Sequence, residues 1–115
     1  MDYFEQLFKS VDVENAIGSS KAWPKPDDYD SWLECWESKT GRTAKCCCNC
    51  DSKEELVGAH VLLSGSDYNS NTKVYLTILC KPCNNSNDTL SVYKKDLIDV
   101  SNVCPFKDIA KNYKK

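Results

Sequence analysis

Two Cys-x-x-Cys units, Cys47-Cys48-Asn49-Cys50 and Cys80-Lys81-Pro82-Cys83, stand 29 residues apart and constrain this 115-residue chain more than any other feature. A two-residue gap lets a tight turn aim two sulfurs at one point, and two such turns complete a tetrahedral thiolate site for zinc. Cys47, Cys50, Cys80 and Cys83 are therefore the expected ligands of a structural zinc ion. A redox dithiol or disulfides are the alternatives, but the flanking sequence lacks the βαβ pattern that a thioredoxin-like motif requires. Four further cysteines accompany these ligands. Cys35 and Cys104 read as small core hydrophobes. Cys46 and Cys48 crowd the first unit without the two-residue spacing and have no assigned role.

The cysteines also bear on compartment. Clustered thiols in a small protein point to metal binding in a reducing environment rather than to disulfide staples. The N-terminus, Met1-Asp2-Tyr3-Phe4-Glu5, is acidic where a secretory leader would be basic, and no apolar run approaches the ~20 residues needed to span a bilayer. A cytoplasmic location and no membrane partner are expected. At 115 residues the chain has room for one core, so a single domain over 1–115 is expected. It divides into a helical part (1–45), a zinc-binding β part (46–104) and a short C-terminal helix or tail (105–115). Such a core is marginal, and a structural zinc adds folding free energy because its site is absent from the unfolded chain.

Hydrophobic periodicity supplies the elements. Phe4, Leu7, Phe8 and Val11 recur at helical spacing, predicting an amphipathic helix over Asp2–Ile17 that stops at Gly18. Trp23-Pro24-Lys25-Pro26 is a connector, because two prolines remove backbone donors. A second helix is expected from about Asp28 to Lys39, with Tyr29, Trp32, Leu33 and Trp36 on one face and Gly41 beyond its end. Leu56–Leu63 and Lys73–Leu79 are rich in β-branched and aromatic residues and predict a hairpin across a turn-forming loop. Leu90–Tyr93 and Leu97–Val100 are short strand candidates, and a last helix is expected over Pro105–Tyr113. The fold class expected is α+β: two N-terminal amphipathic helices on a small zinc-bound β-hairpin core, of treble-clef or zinc-ribbon type.

Charge limits the partners. The net charge is −2, which argues against tight non-specific binding to nucleic acid. Residues 1–45 carry nine acids and six bases, whereas 46–115 carry eight and nine. From Thr89 onward there are six lysines against three aspartates. Two short groups, Tyr93-Lys94-Lys95 and Lys111-Asn112-Tyr113-Lys114-Lys115, interleave aromatic and basic residues as single-strand binders do.

The one histidine, His60, lies in Gly58-Ala59-His60-Val61 between the two cysteine units. The order Cys47 and Cys50, Ala59-His60-Val61, then Leu79-Cys80-Lys81-Pro82-Cys83-Asn84 resembles the HNH endonuclease superfamily of the treble-clef zinc fold. It looks closest to small bacterial and phage proteins with a Gly-Ala-His-Val strand, over roughly residues 46–88. The resemblance implies a metal-dependent nuclease in which His60 is the general base and Asn84 is a ligand of a second divalent cation or an orienting group. Three departures accompany it: Ala59 stands where an acidic or histidine ligand is expected, Tyr75 falls near an expected asparagine, and 84–88 is turn chemistry rather than helix. Asp67 and Asp88 are the only nearby acids offered in replacement. His60 is thus a catalytic base, a zinc ligand in place of one cysteine, or a structural or partner-facing histidine.

Three functions follow from the sequence: a catalytically degenerate zinc module that binds nucleic acid or protein, a metal-dependent HNH-type DNA endonuclease, and a phage or mobile-element regulatory or anti-defence protein acting by protein contact. Exposed tryptophans among Trp23, Trp32 and Trp36 would serve the last as interface anchors.

Overall fold

The computed structural model describes residues 5 and 7–113. Its elements are strand β1 (Ser10–Asn15), helix α1 (Ser19–Ala22), helix α2 (Trp32–Thr40), strands β2 (Leu56–Leu63) and β3 (Tyr75–Cys80), helix α3 (Lys81–Asn84), and strands β4 (Leu90–Tyr93) and β5 (Ile98–Asp99). The five strands form one antiparallel sheet in the order β4-β1-β2-β3-β5. The class is α+β, as expected, with a larger sheet than a zinc-bound hairpin alone.

The central hairpin has the predicted limits within two residues. Leu56 pairs with Cys80 at its open end and Val61 with Tyr75 near the loop. The loop is pinned by the Tyr68 hydroxyl, which donates to Glu14, and by the stacking of Tyr68 against Phe106 and Tyr113.

The predicted N-terminal helix is corrected. Residues 10–15 form β1, inserted between β2 and β4. Residues 2–4 and 6 of the predicted helix lie outside the described residues, and Glu5 and Leu7 have helical backbone. The strand reading was available in Ser10-Val11-Asp12-Val13-Glu14-Asn15, which alternates polar and apolar residues with β-branched valines inward. Two sheet edges then decide the matter, because Val13 pairs with both Leu63 and Leu90 and is completely buried.

The second helix begins four residues later than predicted. Ser31 is its cap, accepting at Oγ from the Glu34 N–H at 3.1 Å, and Gly41 closes it with a left-handed φ of 69°. Residues 28–31 are outside it. The expected C-terminal helix is also corrected: 106–108 and 110–113 are short 3₁₀ turns started after Pro105. Ile109, fully buried, and Phe106 anchor these turns to the core.

Helix α2 packs on β2, β3 and β5. The first core cluster lies there, with Cys35, Trp36, Leu62, Leu76, Ile78 and Cys104. Each fully buried aliphatic side chain in it is worth ~1.5–3 kcal/mol relative to exposure. Gly58 makes the close approach feasible: a Cβ there would sit 2.4 Å from the Trp32 carbonyl carbon and 2.5 Å from the Leu33 nitrogen. The second cluster joins Val13, Val61, Leu79, Leu90 and Val92 to Cys47 and Cys80. Cysteine chemistry is thus built into one end of the core.

Candidate metal centre

The site grows from the open end of the β2–β3 hairpin. Cys80 is the last residue of β3, and the chain turns at once into α3, with Pro82 in its first turn, where a missing N–H costs nothing. The turn carries Cys83 back beside Cys80. Lys81 N–H donates to the Glu55 carbonyl at 3.0 Å, which ties this second knuckle to the entry of β2.

The first knuckle is attached to the same strand end. Cys48 N–H donates to the Ile78 carbonyl at 2.8 Å, Cys47 N–H to the Ser52 carbonyl at 2.7 Å, and Asp51 N–H to the Cys47 carbonyl at 2.9 Å. Asp51 closes this turn at a left-handed φ of 66°, a conformation aspartate tolerates better than most residues.

These attachments bring the four predicted ligands together. The sulfurs of Cys47, Cys50, Cys80 and Cys83 all lie within 4.8 Å of one another, and Cys50 and Cys80 are 3.6 Å apart. Zn–S bonds of ~2.3 Å in a tetrahedron require sulfur separations of about 3.8 Å, so the set fits a closed structural zinc site. Its electrostatics fit as well. Burial opposes ionisation of Cys47, but the backbone N–H groups of Cys50, Cys80 and Asn49 outweigh it and bring the thiol down to about 7. Burial, together with the neighbouring thiols, pushes Cys83 up to about 12. Four sulfurs this close cannot all ionise unaided, and a dication removes the conflict.

Two asparagines that the sequence reading missed support the ligands. Asn15, from β1, donates through Nδ2 to the carbonyls of Cys83 at 2.8 Å and Ser86 at 2.9 Å. Asn49, inside the first knuckle, donates to Cys83 Sγ at 3.4 Å and accepts at Oδ1 from the Ser91 N–H at 2.9 Å. The only sequence signal for Asn49 was its place between two ligands. Asn15 had none, because its segment read as helix.

The remaining cysteines fall into place. Cys35 and Cys104 are buried in the first core cluster, as expected. Cys48 packs between the two clusters, and its thiol is pushed up by burial. Cys46 lines a cavity beside the first knuckle.

His60 is elsewhere. It pairs with Leu76, four ladder positions from the Leu56–Cys80 pair, or roughly 13 Å at ~3.3 Å per residue. The metal-competent group consists of the four cysteines without it. Its ring, on a residue 5% exposed, packs edge-on against Trp32 at 4.5 Å and against Trp23 at 5.1 Å, with Nε2 3.4 Å from Cys104 Sγ. Burial lowers its pKa to about 4, so it is neutral at physiological pH. The indoles that hold it are themselves tied down, Trp32 Nε1 donating to the Trp23 carbonyl at 2.7 Å and Trp23 Nε1 to Asp108 at 3.0 Å. Asn84 is the last residue of α3, half-buried, at the cysteine end of the hairpin. The fold therefore separates His60 from Asn84. Asp67 and Asp88 are exposed.

No helix among the described residues is long and apolar enough to cross a membrane. No family model, curated protein or solved structure matches the chain.

Proposed function

We propose that this protein is a zinc-stabilised HNH-like binding module that has kept the metal knuckles and lost the nuclease chemistry. The order of knuckle, hairpin and second knuckle on a helical turn supports the treble-clef reading, with the terminal helix cut to the four residues Lys81–Asn84. The observation that carries the loss of chemistry is the enclosure of His60 by Trp23 and Trp32. A general base has to come within hydrogen-bond reach of the water it activates, directly or through one further water. A ring packed edge-on to one indole and tilted against another, with Nε2 facing a thiol, offers no such approach. Ala59, 1% exposed, supplies no ligand for a second cation beside it. His60 acts instead as a core residue, its imidazole fixing the two tryptophans over β2. The four cysteines hold zinc, and the metal cross-links the hairpin to the segment before it.

The test is a plasmid-nicking assay on zinc-loaded protein with added magnesium, manganese or nickel. No nicking above the zinc-only control is expected. Metal-dependent nicking that disappears in His60→Ala with zinc content retained would overturn the reading and restore the endonuclease.

A further inference from the structure

We propose that the β4 end of the sheet, with the cavity beside the first knuckle, binds single-stranded nucleic acid; this rests on the module reading and names its partner. Large aromatic rings at a surface call for an explanation when they are grouped. Tyr93 is 45% exposed and Phe8 44%, and their rings meet edge-to-face at 5.9 Å. Lys95 Nζ stands 5.6 Å from the Phe8 ring centre and 5.9 Å from that of Tyr93. The result is an aromatic shelf with a cation on it.

Beside the shelf lies a cavity of about 490 Å³, walled by Tyr93, Trp36, Arg42, Lys45 and the backbone entering the first knuckle. That volume is within the ~300–1,000 Å³ of ordinary ligand sites and admits a nucleobase with its sugar. Its charge is set by one buried anion. Asp96 holds Arg42 at 2.8 Å and Lys95 at 3.0 Å, so a single carboxylate fixes two cations at the wall. Counting Lys45 and Asp51, the lining carries three bases against two acids, and the exposed Lys94 follows Tyr93 directly in the chain. A chain of net charge −2 thus sets a lining of slightly positive balance beside its exposed rings.

Rings select the strandedness. In a duplex both faces of every base are already stacked, whereas unpaired bases present a face to a tyrosine at a sheet edge. Tyr93 is assigned to base stacking, and Arg42, Lys45 and Lys94 to the phosphates.

The experiment is fluorescence anisotropy of labelled twelve-nucleotide oligo-dT and oligo-rU, and of a twelve-base-pair duplex, with the zinc-loaded full chain from 25 to 200 mM salt. The single strands are expected to bind at least tenfold more tightly than the duplex. The slope of log affinity against log salt is expected near −2, from ~−0.7 per phosphate neutralised and about three contacts. Tyr93→Ser should cost tenfold or more with the slope unchanged, and Lys94→Glu should make the slope shallower. Both positions are exposed, so unchanged zinc content and circular dichroism will separate these losses from unfolding. No binding at 25 mM salt, equal affinity for the duplex, displacement by polyglutamate as effective as by oligo-dT, or an unaffected Tyr93→Ser would each overturn the assignment. Any of these would leave the module reading standing, whereas metal-dependent nicking would remove the reading beneath it.

Discussion

The side-chain amide of Asn15 donates to the carbonyl of Cys83 at 2.8 Å, joining the inserted strand β1 to the second cysteine knuckle across 68 positions of sequence. The same nitrogen reaches the Ser86 carbonyl, so one side chain sets the path of the chain leaving the knuckle. Groups that orient metal ligands commonly matter 10–100-fold to affinity when removed. Asn15→Ala is expected to weaken zinc retention by about that factor, measured by competition with a chromophoric chelator. Asn15→Asp should be at least as damaging, since it sets a carboxylate against two carbonyl oxygens. Equal zinc affinity in the wild type and Asn15→Ala would show that the knuckle holds its shape without β1.

Removal of the metal should unfold the β part. The four cysteines join the segment before β2 to the end of β3, and Cys47 and Cys80 belong to the second core cluster. Binding energies of ~10–16 kcal/mol are typical of structural zinc peptides, comparable with the whole stability of about 5–15 kcal/mol that a domain of this size holds. Excess strong chelator is expected to abolish the sheet signal in circular dichroism, and added zinc to restore it. Replacement by cobalt should give the absorption of a tetrahedral tetrathiolate site, and Cys80→Ser should lose it.

Gly58→Ala tests the close packing of α2 on β2. The added methyl would fall within 2.7 Å of three backbone atoms of Trp32 and Leu33, which cannot rotate away as a side chain would. Overpacking of this kind costs ~1–3 kcal/mol. Denaturant unfolding should report a loss in that range or above it, with zinc stoichiometry unchanged because the contact is on the helix-covered face.

His60 gives stability a pH dependence of defined sign. The unfolded imidazole titrates near 6.5, and burial brings the folded one down to about 4. Between these values the unfolded chain binds a proton that the folded chain refuses. The contribution of the neutral ring is therefore complete above pH 6.5 and is lost as pH falls toward 4, amounting to about 3 kcal/mol at most. Cys104, whose thiol is pushed up to about 12 by burial, stays protonated throughout and does not compensate. Unfolding of the wild type and His60→Phe, compared from pH 7.5 to 4.5, should show a shallower loss in the variant. The comparison between the two cancels acid release of zinc, which both share. Parallel curves would contradict the buried neutral imidazole.

Several elements were legible because their determinants are local. The two Cys-x-x-Cys turns announce themselves by spacing. The hairpin follows from a β-branched run on each side of a turn-rich loop, and Gly41 marks the end of α2 by its left-handed geometry. Helix starts were less legible, since acids at 28 and 30 resemble a first turn and only the Ser31 cap bond distinguishes the true one.

What the sequence by itself determined is the pair of thiolate turns, the hairpin between them and the burial of Cys35 and Cys104, all consequences of residue type and short-range spacing. Tertiary structure decided the rest. Val11 fits a helical spacing with Phe4, Leu7 and Phe8 and equally a period of two with Val13, and residues 10–15 became a strand because β2 and β4 each offered an edge whose backbone groups needed partners. His60 had a chemically open identity in the sequence. Its neutrality follows from the two tryptophans brought over it, one from the connector and one from α2, which replace water around the ring and so penalise the charged imidazolium.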